Sequence, residues 1–315
     1  MSKKTGYLLG ILLTIILGTI LYWFLCCNCC AGTADAEADS KTDTIENKDD
    51  VPAKLDATMN AFAVSDANGN LSFDINDNIN FKTSDYHYIE PLSTEVDNGL
   101  TQLVDYLDAD PSKTINVTGH YRSEETNVSA FPNLGLARAN TIKNQLISKG
   151  MSSKKINTFG VLDDNFTADS NGVLHGPLSY SITTIVESDN SEADALQELG
   201  DAIKADPLIL YFNTAQASIN LTAVQRQKVA DMVKYTDKVD GAMLNVTGYT
   251  DNTGDQINNV RLGQERADFA KNYLIENGIA ANKINSTSKG PDAPIADNAT
   301  AEGRAKNRRV VVTIN

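Results

Sequence analysis

The sequence predicts an α+β fold laid down twice: two tandem βαβαββ domains, each with helices on a mixed sheet, after an N-terminal transmembrane helix. Three observations carry this prediction. One segment of the chain recurs with its internal order intact. Along each copy, apolar residues switch between the strand period and the helix period. The composition is that of an ordinary globular chain, with 315 residues, 41% hydrophobic and 22% charged.

The elements follow in chain order. Ser2-Lys3-Lys4 precedes an uncharged apolar run from Tyr7 to Leu25. As a helix this run is roughly 28 Å long, against a bilayer core of about 30 Å. Tyr22 and Trp23 close its distal end, where amphipathic aromatics favour the interface, and the lysines hold the other end in the cytoplasm. Residues 1–28 are therefore read as an uncleaved anchor with exported domains behind it, in the inner membrane in preference to an outer-membrane lipoprotein. A cleavable signal has a shorter apolar core, and its candidate cleavage site, Ala34-Asp35-Ala36, lies far from the run. A lipoprotein signal needs small residues before Cys26, where Trp23-Phe24-Leu25 stand. The four cysteines, Cys26, Cys27, Cys29 and Cys30, all fall at this membrane edge, so the rest of the chain has no disulfide and no Cys-ligated metal. Residues 29–55 are acidic, nearly free of large apolar side chains, and read as a flexible linker.

Two domains follow, 56–188 and 192–315. Ile115-Asn116-Val117-Thr118-Gly119 recurs as Leu244-Asn245-Val246-Thr247-Gly248, and Arg138–Asn157 aligns with Arg266–Asn285 without a gap, half of the positions being identical. In the first copy Phe62 to Phe73 reads as a hairpin turning on Asn68-Gly69. Ile79–Phe81 is a strand, Pro91–Leu107 a helix, Ile115–Gly119 a strand, Leu134–Lys149 a helix, and Lys155–Gly160 and Ser179–Val186 are the last strands. Ser191–Lys204 is a connecting helix. In the second copy Leu208–Phe212 is a strand, and Thr222–Tyr235 is a helix with Val224, Val229, Met232 and Val233 on one face. Met243–Gly248 is the next strand. Asn258–Asn277 is a helix with Leu262, Ala267, Ala270 and Leu274 toward the core and Gly278 at its C-terminus. Lys283–Ser288 and Arg309–Asn315 complete the sheet.

Polar residues of the second copy gather at the second strand-to-helix junction, in Gly248-Tyr249-Thr250-Asp251-Asn252-Thr253-Gly254, at Asn259, and in Leu262-Gly263-Gln264-Glu265-Arg266-Ala267. Two readings stand. Asp251 and Arg266 hold an amino-acid zwitterion between them, the carboxylate on its ammonium and the guanidinium forked onto its carboxylate. Or they form a plain salt bridge that pins the loop. Either way the pair is close to neutral.

Thr250-Asp251-x-x-Gly254, Asn259-x-x-Leu262-Gly263-x-x-Arg266-Ala267 and Gly303-Arg304-Ala305-x-Asn307-Arg308-Arg309 together resemble the signature of the OmpA-like peptidoglycan-binding domain family. The resemblance covers most of the second copy. It implies that Asp251 and Arg266 grip the free amino acid end of diaminopimelate in the cell-wall stem peptide. It also implies that Thr250 and Asn259 line the same pocket, and that Asn307 and Arg308 line it or hold its floor. Many members carry Asp where this chain has Asn213. The first copy is degenerate. Gly119-His120-Tyr121-Arg122 stands in place of Gly248-Tyr249-Thr250-Asp251, Phe131 takes the Asn259 position, and no late Asn-Arg-Arg precedes Ser179. Arg122 and Arg138 would repel an ammonium. This copy is thus expected not to bind diaminopimelate in the same way, and to serve as a spacer, a docking surface for other envelope proteins, or an anion site.

Other classes are excluded or weakened. A net charge of -14 argues against nucleic acid as a partner. His87, His120 and His175 are scattered, and Asp66-x-Asn68-Gly69-Asn70 lacks the closing Glu of a calcium loop, so no metal or cofactor is expected. No hydrolase, metalloprotease or phosphate-loop motif is present, so the chain is expected not to be an enzyme. No series of alternating ten-residue strands points to a barrel. The expected function is a cell-envelope protein with periplasmic domains that binds peptidoglycan and tethers the membrane, through residues 7–25, to the wall. The alternative is a wall-anchoring subunit of a larger stator- or secretion-type complex. The lack of Asp or Glu between Tyr7 and Leu25 weighs against a proton-driven motor.

Overall fold

The computed structural model describes residues 56–67, 69, 71–185, 191–212 and 219–315. The expected anchor, the cysteines, the linker and Asn213 lie outside the described residues. Among the described residues no helix is long and apolar enough to cross a membrane, and no group of side chains could hold a metal ion.

The first half opens with an antiparallel hairpin, β1 (Phe62–Ser65) and β2 (Ser72–Ile75). After a two-residue strand, β3 (Phe81–Lys82), comes α1 (Thr94–Asp108). Ser93 caps α1 by accepting from the Val96 N–H, which starts the helix later than Pro91. It buries Val96, Leu100, Leu103, Val104 and Leu107, one stripe at helical spacing. Then follow β4 (Lys113–Tyr121), α2 (Leu134–Ser148), β5 (Ile156–Leu162), β6 (Val173–Leu174) and β7 (Leu178–Thr184). The sheet runs β5-β4-β7, with β5 parallel and β7 antiparallel to β4. The strand expected at Ile79–Phe81 does not join it. Asn80 accepts from the Gly176 N–H and Asn78 donates to the Asn60 carbonyl, so this segment is tied to the loop before β7 and to the residues before β1, and β3 pairs with β6 instead.

The second half comprises α3 (Ser191–Ala205), β8 (Leu208–Tyr211), α4 (Ala223–Lys238), β9 (Leu244–Tyr249), α5 (Gln256–Glu276), β10 (Ile284–Gly290), α6 (Ala301–Asn307) and β11 (Arg309–Ile314). Its sheet runs β10-β9-β11-β8; β10 is parallel to β9, and β11 is antiparallel to β9 and β8. A reciprocal Thr222–Gln225 capping box starts α4. Two expected core residues are misassigned. Val224 and Leu262 are exposed, at 67% and 37%. Each lies five positions before a buried residue, Val229 and Ala267, and five helical steps turn a side chain about 140° off the stripe. The short helix α6, which the periodicity does not predict, fills the segment before the last strand.

One close approach positions the site. A Cβ on Gly248 would fall 1.9 Å from the Gly263 carbonyl oxygen, so β9 and α5 meet backbone to backbone. Gly119 and Gly135 repeat the contact between β4 and α2, at 2.0 Å. The halves also share a seam. Ala130, Phe131 and Ala137 of the first half belong to the apolar cluster of the second, with Val229, Leu244 and Leu274. Across the seam the Ala130 N–H donates to Asn277 Oδ1 at 2.9 Å, and Lys143, its side chain 2% exposed, pairs with Asp237 at 2.5 Å.

Candidate functional site

The site lies where β9 ends and α5 begins. Strand β9 delivers Tyr249, Thr250 and Asp251 in succession. Gly254, at φ +91, turns the chain in a left-handed conformation that a Cβ would disfavour, and Asp255 caps α5. Because Gly263 lets α5 lie against β9, Arg266, one turn later, comes under the strand end. Arg266 is 8% exposed. Among the described residues its guanidinium makes one long hydrogen bond, to the Tyr249 carbonyl at 3.5 Å, and lies 5.8 Å from the Phe212 ring centre. Burial lowers its pKa and so does the nearby Arg308 charge, while Asp251 opposes both.

Asp251 pairs with Arg308, at 2.9 Å, and not with Arg266. Its second oxygen accepts from the Thr253 N–H, also at 2.9 Å. Burial pushes the Asp251 carboxyl up, yet the Arg308 and Thr253 hydrogen bonds outweigh it and hold the group below the usual range. The plain Asp251–Arg266 salt bridge is thus absent, and the site is not neutral, because Arg308 adds a cation. Arg309 adds another, stacked 3.9 Å from the Tyr249 ring centre and 4% exposed.

The remaining expected residues divide. Thr250 is 3% exposed, and among the described residues neither its Oγ1 nor the buried Nε of Arg308 has a hydrogen-bond partner. Unpaired buried polar atoms of this kind are costly. Asn259 braces the loop by donating to the Thr253 carbonyl at 3.1 Å. Asn307 is fully buried. Its oxygen accepts from the Ile295 and Ala296 N–H groups, and its nitrogen donates to Ala296 O and Asn298 Oδ1. Asn307 thus braces the 295–298 loop, which fills its hydrogen-bonding capacity.

A model of the OmpA family matches residues 211–308. Those residues belong to the OmpA family. The probable lipoprotein YiaD of Escherichia coli is 50% identical over 72 residues, 23% of this chain and 33% of its own. The peptidoglycan-binding protein ArfA of Mycobacterium tuberculosis is 38% identical over 120 residues, 38% of this chain and 36% of its own. The C-terminal domain of MotB from Helicobacter pylori is 29% identical, with 35% of this chain and 84% of that domain covered at a TM-score of 0.30. The chain thus spans about a third of the length of the curated relatives YiaD and ArfA.

The corresponding place in the first half, outside the OmpA family match, is built differently. Arg138 is fully buried. It donates to the carbonyls of Asp85 and His120 at 3.0 and 2.8 Å, and both its terminal nitrogens engage Glu125. Burial pushes the Glu125 carboxyl up, but Arg138 and the N–H groups of Arg122 and Ser84 overcome it and hold the group low. Arg122 pairs with Glu124 at 2.9 Å. Each of the two arginines thus pairs with an acid of the same loop. Sequence reasoning missed Glu124 and Glu125, although the acid doublet stands one residue past Arg122. Phe131, at the Asn259 position, is turned to the seam.

Proposed function

We propose that the chain is a non-catalytic cell-envelope tether whose second domain, 192–315, binds peptidoglycan from the periplasmic side. In this reading residues 7–25 anchor it in the membrane and 29–55 give it reach. The domain 56–188, a degenerate copy of the same fold, carries the binding domain without binding the wall itself. Asp251 takes the ammonium and Arg266 the carboxylate of the free amino acid end of diaminopimelate, with Thr250 beside them. The observation that carries the reading is the state of Arg266. A buried guanidinium with one long hydrogen bond, beside a carboxylate held ionised, is a charge waiting for a partner. Membership of residues 211–308 in the OmpA family supports it. So does the likeness to ArfA, named a peptidoglycan-binding protein.

The test is co-sedimentation of the full chain with insoluble, diaminopimelate-containing peptidoglycan. Wild type should pellet, and Asp251→Ala and Arg266→Ala should stay in the supernatant. Full retention by a correctly folded double variant overturns the reading.

A further inference from the structure

Arg308 holds the Asp251 carboxylate, and two further guanidiniums, Arg266 and Arg309, meet Tyr249. Arg308 is paired with Asp251, Arg266 has no carboxylate partner among the described residues, and Arg309 bonds to the carbonyls of Asn307 and Ala293. The other nearby acids are exposed and engaged elsewhere: Asp255 caps α5, and Asp292 accepts from Gln256. The first half is an internal control. There Arg138, the counterpart of Arg266, has its own acid, Glu125. In the second half that acid is missing, in a chain whose overall charge is -14.

A zwitterion brings one ammonium and one carboxylate. It satisfies Asp251 and Arg266 and leaves the site as positive as before. Its ammonium also competes with Arg308 for Asp251, and among the described residues the buried Nε of Arg308 already lacks a partner. A second carboxylate answers both problems. Resting on the wall-binding reading above, we infer that the pocket recognises a stem fragment with two carboxylates and one ammonium. Arg308 takes the second carboxylate, and stems amidated there are selected against. Arg308 thus moves from partner of Asp251 in the free chain to partner of the ligand in the complex. Its buried Nε and an Nη then make the paired donors that suit a carboxylate.

The experiment is calorimetric titration of the detergent-solubilised full chain with N-acetyl-L-alanyl-γ-D-glutamyl-meso-diaminopimelate. The comparison ligand is the same peptide with both carboxyls outside its zwitterionic end amidated. The amidated peptide should bind about tenfold more weakly, the effect of losing one charged hydrogen-bonded contact. In Arg308→Gln the two peptides should bind equally. Arg308→Lys, which retains the charge if the glutamine variant fails to fold, should retain part of the discrimination. Equal affinity of wild type for both peptides overturns the second-carboxylate assignment and leaves wall binding standing. No binding of either peptide to a folded wild type overturns both.

Discussion

Arg138 and Glu125 form an ion pair in which both side chains are fully shielded from solvent. Arg138 corresponds in the repeat to Arg266, so the chain presents the same guanidinium twice, once filled by its own carboxylate and once open. Stability and binding should separate along this line.

Arg138→Ala should cost about 3–5 kcal/mol, because it leaves the Glu125 charge buried without its partner. Arg266→Ala should change stability by no more than about 1 kcal/mol, since it removes one long hydrogen bond and a charge that burial disfavours. Urea unfolding of the two variants measures both, and co-sedimentation with peptidoglycan should rank them in the opposite order.

Acid should unlock the Glu125 pair. The folded chain holds this carboxyl below its ordinary value of 4.5, so the unfolded chain takes up the proton first as pH falls. The stabilisation is complete above that value and is lost progressively as pH drops through the folded pKa. Urea midpoints followed from about pH 6 to pH 3 should fall more steeply in wild type than in Glu125→Gln, which should start lower and change less.

Gly248→Ala tests the contact that places Arg266. The added methyl would meet the Gly263 carbonyl oxygen, which is backbone and cannot swing aside. A destabilisation of about 1–3 kcal/mol is expected. Wall binding should fall further than in a surface control of equal stability, because α5 carries Arg266 away from the strand end.

Asp237→Ala should destabilise the seam by about 3–5 kcal/mol by stranding the buried Lys143 ammonium, whose pKa burial already depresses. Replacing both partners together, as Lys143→Met with Asp237→Leu, should recover most of that loss. Thermal melts of the three variants give the comparison.

Much of this architecture is legible in the sequence because it is local. Helix α1 follows from one apolar stripe, and α4 from its cap and the stripe from Val229 to Thr236. The site loop follows from residues within one strand–turn–helix passage. What escapes is non-local. Arg308 is 57 residues from Asp251 and reaches it because β11 pairs with β9, Val310 opposite Gly248. Helix α6 buries just Gly303 and Asn307, so it leaves no apolar stripe to find. Leu262 misleads because the inward face of α5 near the site is made of Asn259, Gly263 and Arg266, residues a hydrophobic count passes over.

The seam bears on mechanics. Phe131 belongs to the first half by sequence but fills the interior of the second, and Asp237 of the second locks Lys143 of the first. Neither half can be drawn away without opening the other's interior. A pull across the two halves should therefore meet one stiff strut. Stretched as a single molecule, the pair should rupture in one event instead of two.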